Sequence, residues 1–160
     1  MESQVISNDV IFEAARRMVN EGRDVEFKPK GTSMLPFIKG EVDSVLLRKT
    51  GDMDPGYIVL AKIGERYIMH RVIERDGDHL TLMGDGNIRG TEKCLTSDVI
   101  GTVVEIIKPS GKRVKPSMGK LWKALLPFRR VLLAVYRRLP GIRNIPGIKR
   151  NRENKKKNRK

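Results

Sequence analysis

The chain has a single cysteine and only two histidines, and it lacks any long hydrophobic run. One cysteine, Cys94, allows no intrachain disulfide and no cysteine metal cluster, and two histidines without a local carboxylate pattern do not predict a zinc site. Charges interrupt residues 1–22 throughout, so this stretch has no apolar run typical of a signal peptide or a membrane anchor. We therefore expect a cytoplasmic protein, with a peripheral position at the inner face of the membrane as the alternative.

Acidic residues are scarce in the last third of the chain. Residues 108–160 contain 19 basic residues and one acid, Glu153, which gives them a net charge of +18. Residues 1–107 hold 14 basic and 18 acidic residues, a net charge of −4, although the 160-residue chain carries +14 overall. A chain of this length has room for one domain with a core and an appendage. We therefore predict a mildly acidic body and a basic appendage with a different task.

The body, residues 1–108, is predicted to be mainly β, a compact antiparallel domain with an N-terminal helix. The helix is predicted to begin at Asn8 or Asp9 and to end near Gly22. Its predicted apolar side consists of Val10, Ile11, Ala14, Ala15, Met18 and Val19. Apolar alternation between turn residues then predicts six strands, at 25–30, 42–49, 57–63, 66–75, 79–83 and 99–108. Short strands joined by tight turns indicate an antiparallel sheet.

Beyond residue 108 the sequence pattern changes. Residues 109–118 begin with proline, serine and glycine and are predicted to be a linker. Residues 119–141 are predicted to form a cationic amphipathic helix that includes Trp122, because apolar residues recur every three or four positions. Residues 142–160 end in a polar, basic stretch and are predicted to be a disordered tail. The helix is a candidate for peripheral contact with an anionic membrane or a partner protein; a helix that covers the core is the alternative.

The stretch Gly31-Thr32-Ser33-Met34-Leu35-Pro36 is where we expect the body to carry chemistry. Small and polar residues meet a proline that fixes one backbone angle, and apolar residues follow. This composition is typical of a serine on a tight turn at the edge of a packed sheet, with its side chain outward. Ser33 is therefore a candidate nucleophile.

Two later segments supply polar groups that can act on a serine. In an extended strand, His70 shares its face with Ile68 and Val72, so a neutral imidazole would interrupt an apolar stripe. Such an imidazole can serve as a base for a serine hydroxyl, but a core histidine bonded to a backbone carbonyl fits the same pattern. Asp85 lies between two glycines, where it can aim its carboxylate at an imidazole or form an ordinary Asx turn.

In order and spacing, these segments resemble the type I signal peptidase and LexA-type serine peptidase superfamily over residues 25–107. The matching motifs are Gly31-Thr32-Ser33-Met34-Leu35-Pro36, Gly56-Tyr57-Ile58-Val59-Leu60, Tyr67-Ile68-Met69-His70-Arg71-Val72 and Gly84-Asp85-Gly86-Asn87. The resemblance implies a nucleophile at Ser33, a general base at His70 and an assisting acid at Asp85. Many members have lysine as the base, and histidine there is typical of the archaeal and endoplasmic-reticulum branch. The backbone N–H of Ser33 would form the oxyanion hole, and the supporting loop residues would be Gly31, Thr32, Met34, Pro36, Gly84 and Asn87.

The chain also departs from the pattern of that superfamily. Gly86 replaces an asparagine that usually follows the glycine and aspartate, and Glu92 and Asp98 stand where a second aspartate often occurs in the histidine branch. We expect neither a membrane anchor before Ser33 nor a helix-turn-helix domain. We therefore expect specialised maturation of a substrate, with general secretion disfavoured.

These residues predict a serine endopeptidase that cleaves a peptide or protein substrate through a Ser-His(-Asp) site, without a metal or another cofactor. A non-catalytic peptide- or membrane-binding module on the same fold is an alternative, which the altered acidic loop favours. A regulator that binds nucleic acid through the basic tail is a second alternative. The wide apolar arc of the predicted C-terminal helix favours lipid or a partner groove over nucleic acid.

Overall fold

One antiparallel sheet of eight strands forms the framework of the described chain. A computed structural model describes residues 8–87 and 89–116, together with Val131, Ala134, Val135 and Arg138. The helix α1 (Asn8–Asn20) comes first. The strands are β1 (Val25–Phe27), β2 (Ser44–Arg48), β3 (Ile58–Ile63), β4 (Arg66–Asp76), β5 (His79–Met83), β6 (Glu92–Leu95), β7 (Val99–Ile107) and β8 (Arg113–Val114). The mainly β fold class is confirmed.

The order of strands leaves two strand edges open, at β1 and along the first half of β4. The sheet runs β1-β2-β7-β3-β4-β5-β6, and β8 pairs with β7. β1 therefore lies at one end of the sheet. β5 pairs with β4 only from Arg71 to Asp76, so within the described residues the stretch 66–70 of β4 pairs with β3 alone. In the part of the chain that the structure describes, the outward backbone groups of both edges have no ladder partner, so both can accept another extended strand.

The core lies on both faces of the curled sheet, and β3 separates its two parts. Ile58 and Leu60 belong to the larger cluster with Val19 and Met34, whereas Val59 and Ala61 belong to a smaller cluster. Alternate residues of a strand point to opposite faces, so a strand that is apolar at every position is buried on both sides. β3 thereby fixes the position of its neighbour β4.

The helix α1 covers the larger cluster through a different set of residues than the sequence predicted. Ala15 and Val19 are buried and Phe12 packs against the core, whereas Val10 and Ile11 are 61% and 45% exposed. The predicted apolar side was therefore wrong for its first two members. A narrower arc, with Phe12 stacked on Tyr67 of β4, holds the helix on the sheet.

The six predicted strands are all present, with ends that move by up to three residues, but two short strands were missed. β6 lies in the polar stretch after the Gly84–Gly90 loop, and β8 pairs Val114 with Ile106. Part of the predicted linker, residues 109–118, forms β8, because a turn from Lys108 to Lys112 brings the chain back onto β7.

The C-terminal predictions concern residues that are largely outside the described part of the chain. Within residues 119–141, Val131, Ala134, Val135 and Arg138 are helical; the other residues of the predicted helix and the tail 142–160 are not described. Among the described residues, no helix is both long and apolar enough to cross a membrane.

Candidate active site

Ser33 lies in a tight turn between β1 and β2. Leu35 N donates to Thr32 O at 3.3 Å and Ile38 N donates to Met34 O at 3.0 Å, so the chain curls on itself. Met34 and Leu35 are buried, whereas Ser33 is half-buried. Pro36 follows through a cis peptide bond. The turn thus inserts its apolar residues into the core and leaves the serine at the wall of a cleft.

A buried carboxylate secures the far side of this turn. Asp43 Oδ2 accepts from Lys39 N and from Lys108 Nζ, each at 2.8 Å, and the same ammonium donates to Phe37 O at 3.2 Å. Asp43 is 1% exposed. Because Lys108 follows the end of β7, these bonds attach the Ser33 turn to the middle of the sheet.

The loop Gly84–Asn87 packs directly against the Ser33 turn. Gly86 N donates to Ser33 O at 2.6 Å. A Cβ on Gly86 would lie 2.5 Å from Thr32 O, and one on Gly84 would lie 2.6 Å from Ser33 O and 3.0 Å from His70 Nε2. Both positions therefore need glycine because the backbones approach too closely for a side chain. This close approach explains why residue 86 is glycine, where the superfamily pattern usually has asparagine.

Asn87 and Gly31 support the two loops in different ways. Asn87 N donates to Gly84 O at 3.0 Å, which closes the loop into a turn. Gly31 has a φ of +87°, a left-handed conformation that favours glycine, just before the Ser33 turn. Gly31 and Asn87, two of the predicted supporting residues, therefore shape the backbone of these loops.

His70 on β4 has a carboxylate partner, which is Glu92 at the start of β6. His70 Nδ1 lies 2.9 Å from Glu92 Oε2, and the two side chains are 8% and 25% exposed. A carboxylate accepts but does not donate, so the neutral imidazole carries its proton on Nδ1 and leaves Nε2 as an acceptor. Nε2 is the atom that lies toward Gly84 and the Ser33 backbone.

The structure corrects the expected contact between Asp85 and His70, because Asp85 pairs with Arg71. Asp85 accepts from Arg71 Nε at 2.8 Å and from Arg71 Nη2 at 2.7 Å, and both side chains are essentially unexposed. Consecutive residues of a strand point to opposite faces. Arg71 therefore takes Asp85 on one face of β4, and His70 takes Glu92 on the other.

Arg71 joins three loops around the candidate site. Its Nη1 donates to Gly56 O at 2.6 Å, and its guanidinium lies 5.5 Å from the centre of the Phe37 ring. With Asp85 these contacts connect the β2–β3 loop, the Ser33 turn and the β5–β6 loop. A buried guanidinium needs this many partners because its desolvation is costly.

Ser33, His70 and Glu92 line one cleft of about 550 Å³. The cleft lies between the segment after β1 and the open edge of β4. No hydrogen bond between Ser33 Oγ and His70 is present among the described residues. Hydrogen bonds between reacting groups are often long without substrate, so both residues remain candidates in the same cleft.

The remaining reactive side chains of the described chain lie outside this arrangement. Burial, and then the charge of Asp98, raises the pKa of the Cys94 thiol to about 11, so this thiol stays protonated near neutral pH. His79 is exposed beside a hairpin turn. Lys62 of β3 pairs with Glu13 of α1 at 2.8 Å, so it serves the docking of the helix.

Sequence reasoning named Glu92 only as a stand-in for a second aspartate and gave Arg71 no role. The adjacent residues His70 and Arg71 could have predicted two polar partners, because neighbouring polar residues in a buried strand need partners on opposite faces. Two acids in the following loop and strand, Asp85 and Glu92, were available for them. Which acid serves which face depends on the path of the loop, and that path is a tertiary property.

The structure is a mainly β domain in which a serine turn and an imidazole line the same open cleft. A sequence profile of the Peptidase S24-like family matches residues 2–104, and the chain belongs to that family. The match confirms the resemblance to the LexA-type superfamily, and the histidine-containing signal peptidase branch stays a prediction. A search among curated proteins finds no match.

Proposed function

We propose that the protein is a serine endopeptidase of the histidine-containing branch, with Ser33 as nucleophile, His70 as general base and Glu92 as the residue that positions His70. The observation that carries the proposal is the hydrogen bond between His70 Nδ1 and Glu92, which leaves Nε2 toward the Ser33 turn in the same cleft. This arrangement supports proteolysis because an oriented, neutral imidazole is the base that a serine hydroxyl requires.

The chemistry follows from this orientation. His70 Nε2 takes the proton of Ser33 Oγ as the oxygen attacks the carbonyl carbon of a peptide bond. The backbone N–H of Ser33 donates to the oxygen that becomes negative. The imidazolium, whose charge Glu92 stabilises, then gives its proton to the leaving amine. Water hydrolyses the resulting ester with the same base, which returns Ser33 to its starting state.

The two open strand edges indicate how a substrate would lie. The outward side of β4 from residue 66 to His70 pairs with no strand in the described chain, and β1 ends the sheet across the cleft. An extended peptide laid between them would make main-chain hydrogen bonds and present alternate side chains to the cleft. Endoproteolysis suits this geometry because the cleft does not require a chain end.

The test compares the full chain with two variants and two matched controls. A peptide library from a digested proteome is incubated with each protein, and new amino termini are identified by mass spectrometry. Ser33→Ala and His70→Ala are expected to abolish cleavage while circular dichroism shows an unchanged fold. Ser97→Ala and His79→Ala, which alter exposed side chains away from the cleft, are expected to cleave like the unmodified protein.

A non-catalytic peptide-binding module on the same fold is the rival that this experiment decides. It would bind peptides in the cleft without producing new termini, and Ser33→Ala would leave its binding unchanged. Cleavage that persists in Ser33→Ala would also contradict the proposal, because it would require another nucleophile.

We also propose that the C-terminal segment contacts an anionic membrane. Val131 and Val135, one helical turn apart, are 66% and 55% exposed, and Ala134 beside them is exposed as well. Residues 108–160 carry a net charge of +18. An exposed apolar face within a strongly basic segment is what binding at a lipid surface uses, since apolar insertion and attraction to acidic headgroups add.

Vesicle flotation tests this contact. The full chain is expected to float with vesicles of phosphatidylglycerol and phosphatidylcholine, and not with phosphatidylcholine alone. Val131→Asp with Val135→Asp is expected to weaken flotation, whereas Val10→Asp, at an equally exposed valine of α1, is expected to leave it unchanged. Binding to duplex DNA that these substitutions leave unaffected, without flotation, would favour the nucleic-acid alternative.

A further inference from the structure

The sign of the charge around the cleft is opposite to that of the body. Residues 1–107 carry a net charge of −4. The cleft nevertheless has three basic residues in its lining, Lys28, Lys30 and Arg66, and one carboxylate, Glu92, which bonds to His70. A patch whose sign departs from that of its surroundings indicates selection for a ligand of the opposite charge.

Each wall of the cleft begins at a basic residue and ends at a reacting group. One wall runs from Lys28 to Ser33, and the other runs along β4 from Arg66 to His70. Arg66, Ile68 and His70 share one face of β4 because side chains alternate along a strand. At 3.3 Å per residue, Arg66 is about 13 Å from His70 along the strand, which is about four residues of an extended substrate.

Both outer basic groups are available to a ligand. Arg66 and Lys28 are exposed, and neither belongs to an ion pair of the described residues. The rest of the cleft lining is mostly apolar, and on the β4 wall Ile68 and Met69 lie between Arg66 and His70. A substrate that filled the cleft would therefore place apolar side chains near the reacting groups and meet positive charge further along.

We propose that the cleft selects extended peptides that have apolar residues beside the scissile bond and an acidic residue about four positions from it. The preference deepens the proposed peptidase function, and Arg66 and Lys28 determine it. Because both basic groups are exposed, each contact with a carboxylate contributes about a twofold to fivefold gain in affinity. The apolar centre supplies most of the binding, and the charges set the register of the peptide.

Binding is measured first with a protein that cannot cleave by the proposed route. Fluorescence polarisation compares two fluorescein-labelled extended peptides on Ser33→Ala; they share an apolar centre and have either Glu or Lys at both ends. The Glu peptide is expected to bind more tightly. Adding Arg66→Glu or Lys28→Glu is expected to reduce or reverse the preference. Lys112→Glu, the same charge change at an exposed residue outside the cleft lining, is expected to preserve it.

Cleavage mapping separates failure of the selectivity from failure of the catalysis. In the peptide library, sites cut by the unmodified protein are expected to be enriched in Asp or Glu about four positions from the scissile bond, and sites cut by Arg66→Glu are not. Preference for the Glu peptide without any cleavage would refute the peptidase and leave the selectivity standing. Equal binding of the two peptides, no binding of either, or the same loss in Lys112→Glu would overturn the selectivity.

Discussion

Two adjacent residues of β4 each have one carboxylate partner, and the two pairs differ in almost every physical respect. Arg71 and Asp85 make two hydrogen bonds, and their side chains are 0% and 1% exposed. His70 and Glu92 make one, at the wall of the cleft, with exposures of 8% and 25%. One pair lies inside the protein and the other borders solvent, although their residues are sequence neighbours.

The difference separates a structural role from a chemical one. A buried ion pair joined by two hydrogen bonds fixes geometry, because removing either member leaves a buried charge without its counter-charge. A singly bonded imidazole at a cleft can change its protonation state and reach a substrate. The buried pair therefore holds the Ser33 turn and its two neighbouring loops in place, and the open pair takes part in the proposed chemistry.

Loss of the buried carboxylate is expected to have the largest effect. Asp85→Ala leaves the Arg71 guanidinium buried without its partner, and we expect it to lower the free energy of unfolding by about 3–5 kcal/mol. Urea unfolding followed by circular dichroism measures this change. Asp76→Ala, at an exposed aspartate of β4, is the matched control and should change the free energy by less than about 0.5 kcal/mol.

A double variant sharpens the same point. If Arg71 and Asp85 act as a pair, Arg71→Met with Asp85→Ala should cost less than the two single changes added together, because no charge remains buried. A fully stable Asp85→Ala that no longer cleaves would instead give Asp85 the catalytic role that the sequence predicted.

Loss of the open carboxylate should affect turnover and leave folding nearly intact. Glu92→Gln removes the charge that stabilises the imidazolium, and we expect kcat to fall by roughly a hundredfold, which is about 2.7 kcal/mol of barrier. The free energy of unfolding should change by no more than about 1 kcal/mol, since the pair is partly exposed. Peptides identified by cleavage mapping serve as substrates for the kinetics.

A comparison of kcat with KM and a conservative variant distinguish positioning from a structural role. Glu92→Gln should lower kcat and leave KM nearly unchanged, because Glu92 acts through the imidazole and not on the substrate. Glu92→Asp keeps the charge and should restore part of the activity. Full activity in Glu92→Gln would remove Glu92 from the mechanism.

The sequence predicted the parts of this site that depend on local pattern. Ser33 in its turn follows from small residues before a proline, and the strand that carries His70 follows from apolar alternation, so the mainly β fold could be anticipated. The partners of His70 and Arg71 could not, because two acids lay within reach of two faces and the path of the loop decides between them. The pairing of β8 with β7 could not be predicted either, since the exposed Arg113 and Val114 show no apolar pattern in the sequence.

The two sides of β4 are connected through the loop that carries Asp85, and a methyl group tests that connection. A Cβ on Gly86 would lie 2.5 Å from Thr32 O, so Gly86→Ala must displace either the loop or the Ser33 turn. We expect it to cost about 1–3 kcal/mol of unfolding free energy, as for other overpacked sites, and to lower cleavage. Gly51→Ala, where a Cβ meets nothing within 4 Å, should do neither. Unchanged cleavage in Gly86→Ala would mean that the turn tolerates movement of the loop.

The smallest effect on stability is expected at a third carboxylate, Glu13, which is more exposed than Asp85 and Glu92. Hydrogen bonds from Lys62 and then from Tyr67 lower the pKa of Glu13 below its ordinary value of 4.5. A lowered folded-state pKa means that the carboxylate stabilises the fold above pH 4.5 and that this contribution disappears as the pH falls through the folded value. Glu13→Gln should therefore be slightly less stable than the unmodified protein near neutral pH. The free energies of unfolding of the two proteins, measured with urea, should become equal at acidic pH. Because these bonds join α1 to β3 and β4 and do not reach His70, cleavage at neutral pH should be unchanged; a loss of turnover without a loss of stability would instead make the docking of α1 part of the chemistry.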